Sequence, residues 1–194
     1  MVLPTSQLYI KTKAFFGNPY ILKEVEGTKI ALLSLGYHNT NLTGNSKNMN
    51  DLEFRRGNEV LNEILHELKE QADIIVLLSH QGTAVDRLIA EEFSEIDMIL
   101  GGHSHDLISG PERIINTFMV QAMADAAALG EIELKIRDRK LTGVKALHHF
   151  LWLSDYEKDP EMGSLIEELR APHRGPPGGE HSNGNRGDPQ AIQK

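Results

Sequence analysis

Three histidines carry the residue chemistry that stands out in this chain. His80 lies in Leu77-Leu78-Ser79-His80-Gln81-Gly82, and His103 and His105 lie in Leu100-Gly101-Gly102-His103-Ser104-His105. Each cluster follows an apolar run that stops at polar residues and glycine. A neutral imidazole offers a ring nitrogen to a transition metal, so three of them meeting in one crevice would suit Zn, Mn, Fe, Co or Ni. His103 and His105 are two residues apart, which in an extended segment places both side chains on one face. Gly101 and Gly102 are expected to let the backbone turn tightly there.

The flanking sequence sets what must position these loops. Ile74-Ile75-Val76-Leu77-Leu78 and Ile96-Asp97-Met98-Ile99-Leu100 are short, aliphatic and bounded by turn residues, the signature of buried parallel strands. Between them Val85, Leu88, Ile89 and Phe93 recur at helical spacing. The unit is therefore strand, helix, strand. Its strand ends share one edge of the sheet, which brings His80 toward His103 and His105.

Elsewhere, Tyr20 to Val25 and Thr28 to Leu35 form a hairpin turning at Glu26-Gly27. Tyr37 to Asn50, with five asparagines, reads as a solvated loop. Its His38 is taken as an ordinary loop residue, and the Asn41-Leu42-Thr43 glycosylation sequon as chance. Val60, Leu61, Ile64, Leu65 and Leu68 make the apolar stripe of a helix between Gly57 and Gln71, with His66 near its polar side. Asp106 to Pro111 is a loop and Ile114 to Val120 a strand. Leu129 to Ile136 and Leu141 to Leu153 pair across Arg137 to Lys140, with His148 and His149 on opposite faces. Asp159-Pro160 opens a helix striped by Met162, Leu165, Ile166 and Leu169. Residues 171–194 hold five glycines and four prolines with little to bury, and are expected to be a disordered tail. Arg186-Gly187-Asp188 within it is read as chance.

At 194 residues, 40% hydrophobic and 25% charged, the chain suits one globular domain. A net charge of -8 without a basic cluster argues against nucleic-acid binding, although metal cations can still draw an anionic ester to an acidic protein. With no cysteine there is neither a disulfide nor a thiolate ligand. The start of the chain lacks an export signal, and no segment is long and apolar enough to span a bilayer, so a cytoplasmic location without membrane attachment is expected.

The Ser79-His80-Gln81-Gly82 and Gly101-Gly102-His103-Ser104-His105 pair resembles the last two metal-binding motifs of the 5′-nucleotidase branch of the calcineurin-like metallophosphoesterases. Pro19-Tyr20-Ile21, Val25-Glu26-Gly27 and Lys29 to Leu33 resemble the strands that precede those motifs. Val120-Gln121-Ala122 with Leu129-Gly130 resembles the segment that follows. The resemblance covers about residues 3 to 170, the C-terminal half of the catalytic domain. It implies an α/β fold of layered mixed β-sheets flanked by helices, and hydrolysis of nucleoside 5′-phosphates or related esters with divalent metal (Mn, Zn, Fe or Co).

The resemblance further implies that His80 and His103 serve one metal and His105 the other. Asp106 either orients a ligand histidine or is a turn residue. The family's Asp-x-His, Gly-Asp and Gly-Asn-His motifs do not precede these loops. Two-metal hydrolysis needs a bridging carboxylate to hold both ions. At most one metal is therefore expected here. Three readings follow: activity only with a complementing N-terminal half, a non-catalytic remnant that binds a metal or a partner, or weak mononuclear activity. Incomplete sheets expose edges, so marginal stability and association are expected.

Overall fold

The computed structural model describes residues 8–10, 14–15, 18–37, 39–45, 47 and 52–173. The chain divides into two compact units, Met1–Trp152 and Leu153–Lys194. His38 and the tail beyond residue 173 lie outside the described residues.

In chain order the first unit runs β1 (Leu8–Ile10), β2 (Ala14–Phe15), β3 (Tyr20–Val25), β4 (Thr28–Leu35), α1 (Thr40–Thr43), β5 (Leu52–Phe54), α2 (Gly57–Leu68) and β6 (Ile74–Ser79). It continues through α3 (Thr83–Glu92), β7 (Met98–Leu100), β8 (Glu112–Ile114), β9 (Thr117–Val120), β10 (Ala128–Arg137) and β11 (Lys140–Phe150). Six strands form the main sheet in the order β3-β4-β6-β7-β9-β8, while β2-β1-β5 and β10-β11 form smaller sheets.

The strands β4, β6, β7 and β9 are parallel, and β3 and β8 close the two edges antiparallel. Both hairpin turns that the sequence marks are present. Glu26 and Gly27 take φ 50 and 77, and Asp138 and Arg139 take φ 52 and 59, the left-handed pairs whose twist matches that of the flanking strands.

Alternation along the central strands builds two cores. Ile75, Leu77, Ile99 and Met119 face α2 and α3, meeting Val60, Leu61, Ile64, Leu65, Leu68, Ile89 and Phe93. Ile74, Val76, Met98 and Val120 point the other way, onto Ile132, Leu134, Leu141, Val144 and Ala146 of the β10–β11 hairpin. Burial on both faces explains why these strands read as unbroken apolar runs.

Three expectations are corrected. The Tyr37 to Asn50 stretch contains the single helical turn α1, where the Thr40 hydroxyl donates to Tyr37 O at 2.6 Å. Ile114 to Val120 is not one strand. It spans parts of the β8–β9 hairpin, which turns at Ile115 in the left-handed region (φ 54). On α3 the helix is rotated from the expected face: Leu88 is 61% exposed, and Asp86 is fully buried beside Ile89 and Ala90.

In the second unit, α4 (Pro160–Arg170) begins as expected. Asp159 Oδ1 accepts from Glu161 N at 2.9 Å and Met162 N at 3.0 Å, with proline at the first helical position. Ala171–His173 adds a 3-10 turn to its end, in what the sequence suggests is tail.

Candidate metal-binding edge

The four parallel strands end at Leu35, Ser79, Leu100 and Val120 on one edge of the sheet. Immediately after them come Tyr37, His80, the Gly101–Asp106 loop and Gln121, so residues distant in sequence share one rim. His80 and His103 meet there, with ring centroids 5.1 Å apart and planes at 73°. Tyr37 stacks on the other partner of that pair, its ring 4.0 Å from that of His103 at 21°. Burial lowers the pKa of His80, and the neighbouring charges of His103 and His105 lower it further, which favours the neutral imidazole a metal would bind.

The loop differs from the expected extended segment. His103 (φ 74) and His105 (φ 62) both sit in the left-handed region, which is uncommon for residues that carry a β-carbon. The two glycines before them serve close approach. A Cβ on Gly102 would stand 3.1 Å from His80 Nδ1, and one on Gly101 would stand 3.0 Å from both Asp86 Oδ2 and Gln121 Oε1.

His105 acts on His80 and Asp106 through charge, without a ring contact among the described residues. Asp106 turns toward α3: its Oδ2 accepts from Thr83 Oγ1 at 2.6 Å, and its backbone oxygen accepts from Met123 N at 2.9 Å. Hydrogen bonds from Thr83 and Ser104 hold its carboxyl below the usual range, with lesser help from Arg87 and His105. Thr83 N donates to Ser104 Oγ at 3.1 Å, so the first turn of α3 grips this loop twice. Gln121, nearly buried, brings its Nε2 within 3.2 Å of the same Ser104 hydroxyl.

Among the described residues no group of three or more His, Asp or Glu side chains is placed to hold one metal ion. The edge thus pairs two of the three expected histidines. Its donor chemistry, ring nitrogens beside a carboxylate that Thr83 holds, fits part of a divalent ion's coordination shell and not a whole one. Sequence reasoning missed Tyr37, Gln121 and Asp86. Only Asp86 left a signal, standing three and four residues before Ile89 and Ala90 on the inward stripe. Beside the edge, Gln81 reaches Gly36 O through its amide and helps line a cleft of about 580 Å³ with Leu42, Phe54, Arg56 and Leu88.

A parallel-centred sheet with helices on one face and a hairpin on the other recurs in solved structures. The sulfate thiohydrolase SoxB of Thermus thermophilus matches with a TM-score of 0.78 at 23% identity, over 88% of this chain and 32% of that one. The calcineurin-like phosphoesterase YfkN of Bacillus subtilis matches at 0.67 and 17%, over 88% of this chain and 61% of that one. The fold is that of the metallophosphoesterases.

In sequence, the trifunctional nucleotide phosphoesterase YfkN is 31% identical over 161 residues, 79% of this chain and 11% of that protein. The 5′-nucleotidase of Vibrio cholerae is 29% identical over 118 residues, 52% of this chain and 21% of that protein. No family profile matches the chain. The chain belongs to the 5′-nucleotidase branch of the calcineurin-like metallophosphoesterases, and it spans well under half the length of these curated relatives. That family implies divalent metal. Among the described residues no helix is long and apolar enough to cross a membrane.

Proposed function

We propose that this chain supplies the histidine side of a divalent-metal centre for hydrolysis of nucleoside 5′-phosphates or related phosphoesters. Residues 1–170 carry that role, and it is inactive without a complementing N-terminal half. The observation that carries this reading is the His80–His103 pair at the carboxyl edge of the parallel strands. His80 and His103 would hold one ion, with His105 directed to a second; Mn, Zn, Fe or Co suits such donors. A divalent ion bound there supplies Lewis acidity toward the phosphoryl oxygens and a more acidic water.

The chain's own part is preparation of the site. Burial lowers the His80 pKa and so favours its neutral form, and Gly102 lets the loop backbone lie against the His80 ring. The 580 Å³ cleft beyond Gln81 has the size that small-molecule sites take. The carboxylates nearby are otherwise engaged: Asp106 is bound to Thr83, and Asp86 is buried beneath Gly101. A bridging carboxylate must therefore come from outside the described residues, which is why a complementing half is invoked.

A second reading, a non-catalytic remnant that binds a metal or a partner, is favoured by the absence of a three-residue ligand group among the described residues. The test is hydrolysis of a nucleoside 5′-monophosphate by the full chain with Mn²⁺. The expected result is no turnover above the metal alone. Robust turnover that His103→Ala removes would overturn the requirement for a second half.

A further inference from the structure

Asp86 is a carboxyl with 0% exposure whose Oδ2 has no hydrogen-bond partner, placed where packing alone would favour a residue like Ala90. Leaving such a group unpaired in a core is unfavourable, so its presence calls for an explanation. Its surroundings supply one. Oδ1 accepts from the Ser79 hydroxyl, and Ser79 Oγ in turn accepts from Gln81 N at 3.2 Å. That chain of bonds fixes the residues on both sides of His80. The other oxygen presses toward Gly101, 3.0 Å from where a Cβ would be, at the root of the loop that carries His103. One helical turn earlier on α3, Thr83 holds the same loop through Ser104 and Asp106.

We propose that Asp86 is a positioning residue that sets the His80 loop and the Gly101–His105 loop in register, so that the His80 and His103 rings meet. Burial pushes its carboxyl up to about 6, consistent with a group held for geometry at the expense of solvation. The ring geometry is independent of the metal reading, and only the consequence for metal affinity rests on it.

The experiment is imidazole NMR on the full chain, following the nuclear Overhauser contact between His80 and His103, together with Zn²⁺ titration. Asp86→Ala is expected to remove the ring contact and weaken Zn²⁺ about 10- to 100-fold. Asp86→Asn keeps the acceptor for Ser79 and is expected to retain both. A ring contact unchanged in Asp86→Ala overturns the proposal, and equal loss in Asn and Ala overturns the hydrogen-bond chain as its cause. If Asp86→Ala does not fold, Ser79→Ala decides by the same contact: loss supports the chain of bonds, retention overturns it. Should the wild type bind no Zn²⁺ yet show the ring contact, the metal reading fails while the ring contact still decides the role of Asp86.

Discussion

Helices α2 and α4 carry the same kind of sequence and meet different fates. In α2, Val60, Leu61, Ile64, Leu65 and Leu68 are each at most 4% exposed, packed under the main sheet. In α4, Met162, Leu165, Ile166 and Leu169 repeat the pattern, and all are between 40% and 63% exposed. Periodicity identifies the apolar face of a helix; whether anything covers that face is a tertiary fact. Helix α3 is a third case, covered like α2 but with the carboxyl of Asp86 in a core position. The comparison teaches where stability resides in this chain and where it is given up for the site.

The largest effect is expected in α2. Leu61→Ala should cost about 2–5 kcal/mol in urea unfolding, because transfer and cavity terms add; a loss below about 1 kcal/mol would erase the contrast with α4.

For Asp86 the sign follows from its raised pKa. Between the ordinary carboxylate value and about 6 the native state holds a proton that the unfolded chain has released, so stability falls as pH rises through that window. Asp86→Asn removes this slope and is expected to gain up to about 3 kcal/mol on the wild type between about pH 4 and 7. Asp97, raised in the same direction by burial, leaves a residual slope in both proteins. Parallel pH curves for variant and wild type would contradict the assignment.

Gly101→Ala should cost about 1–3 kcal/mol by crowding Asp86 and Gln121. A neutral result in thermal melting would mean that the two side chains withdraw freely. In α4, Leu165→Ala is expected to change stability by less than about 0.5 kcal/mol. A larger loss would show that its apolar stripe is covered in solution.

Much of this architecture is legible in the residues. The α2 stripe, the Glu26-Gly27 turn and the aliphatic runs before His80 and His103 state their structure locally, because each pattern has one favourable burial. The joining of His80 to His103 followed from strand, helix, strand order. What was not legible depends on partners far away in sequence. Leu88 and Asp86 compete for the inside of α3, and the winner is set by Ser79 and Gly101 across the sheet edge. Gly101 and Gly102 were expected to let the backbone turn tightly, yet the left-handed positions fall on His103 and His105, in a loop held by contacts that Ser104 and Asp106 make to Thr83. Tyr37 gives no local sign of stacking on His103, since only the packing of β4 beside β6 brings it there.

Calorimetric titration of Mn²⁺ or Zn²⁺ into the full chain, beside His80→Ala and His103→Ala, tests the central claim most directly. Binding near one equivalent in the wild type, weakened at least about tenfold in each variant with the fold intact, is the expected result. Equal affinity in all three proteins, or no binding in the wild type, would contradict the claim that these two histidines form one side of a metal centre.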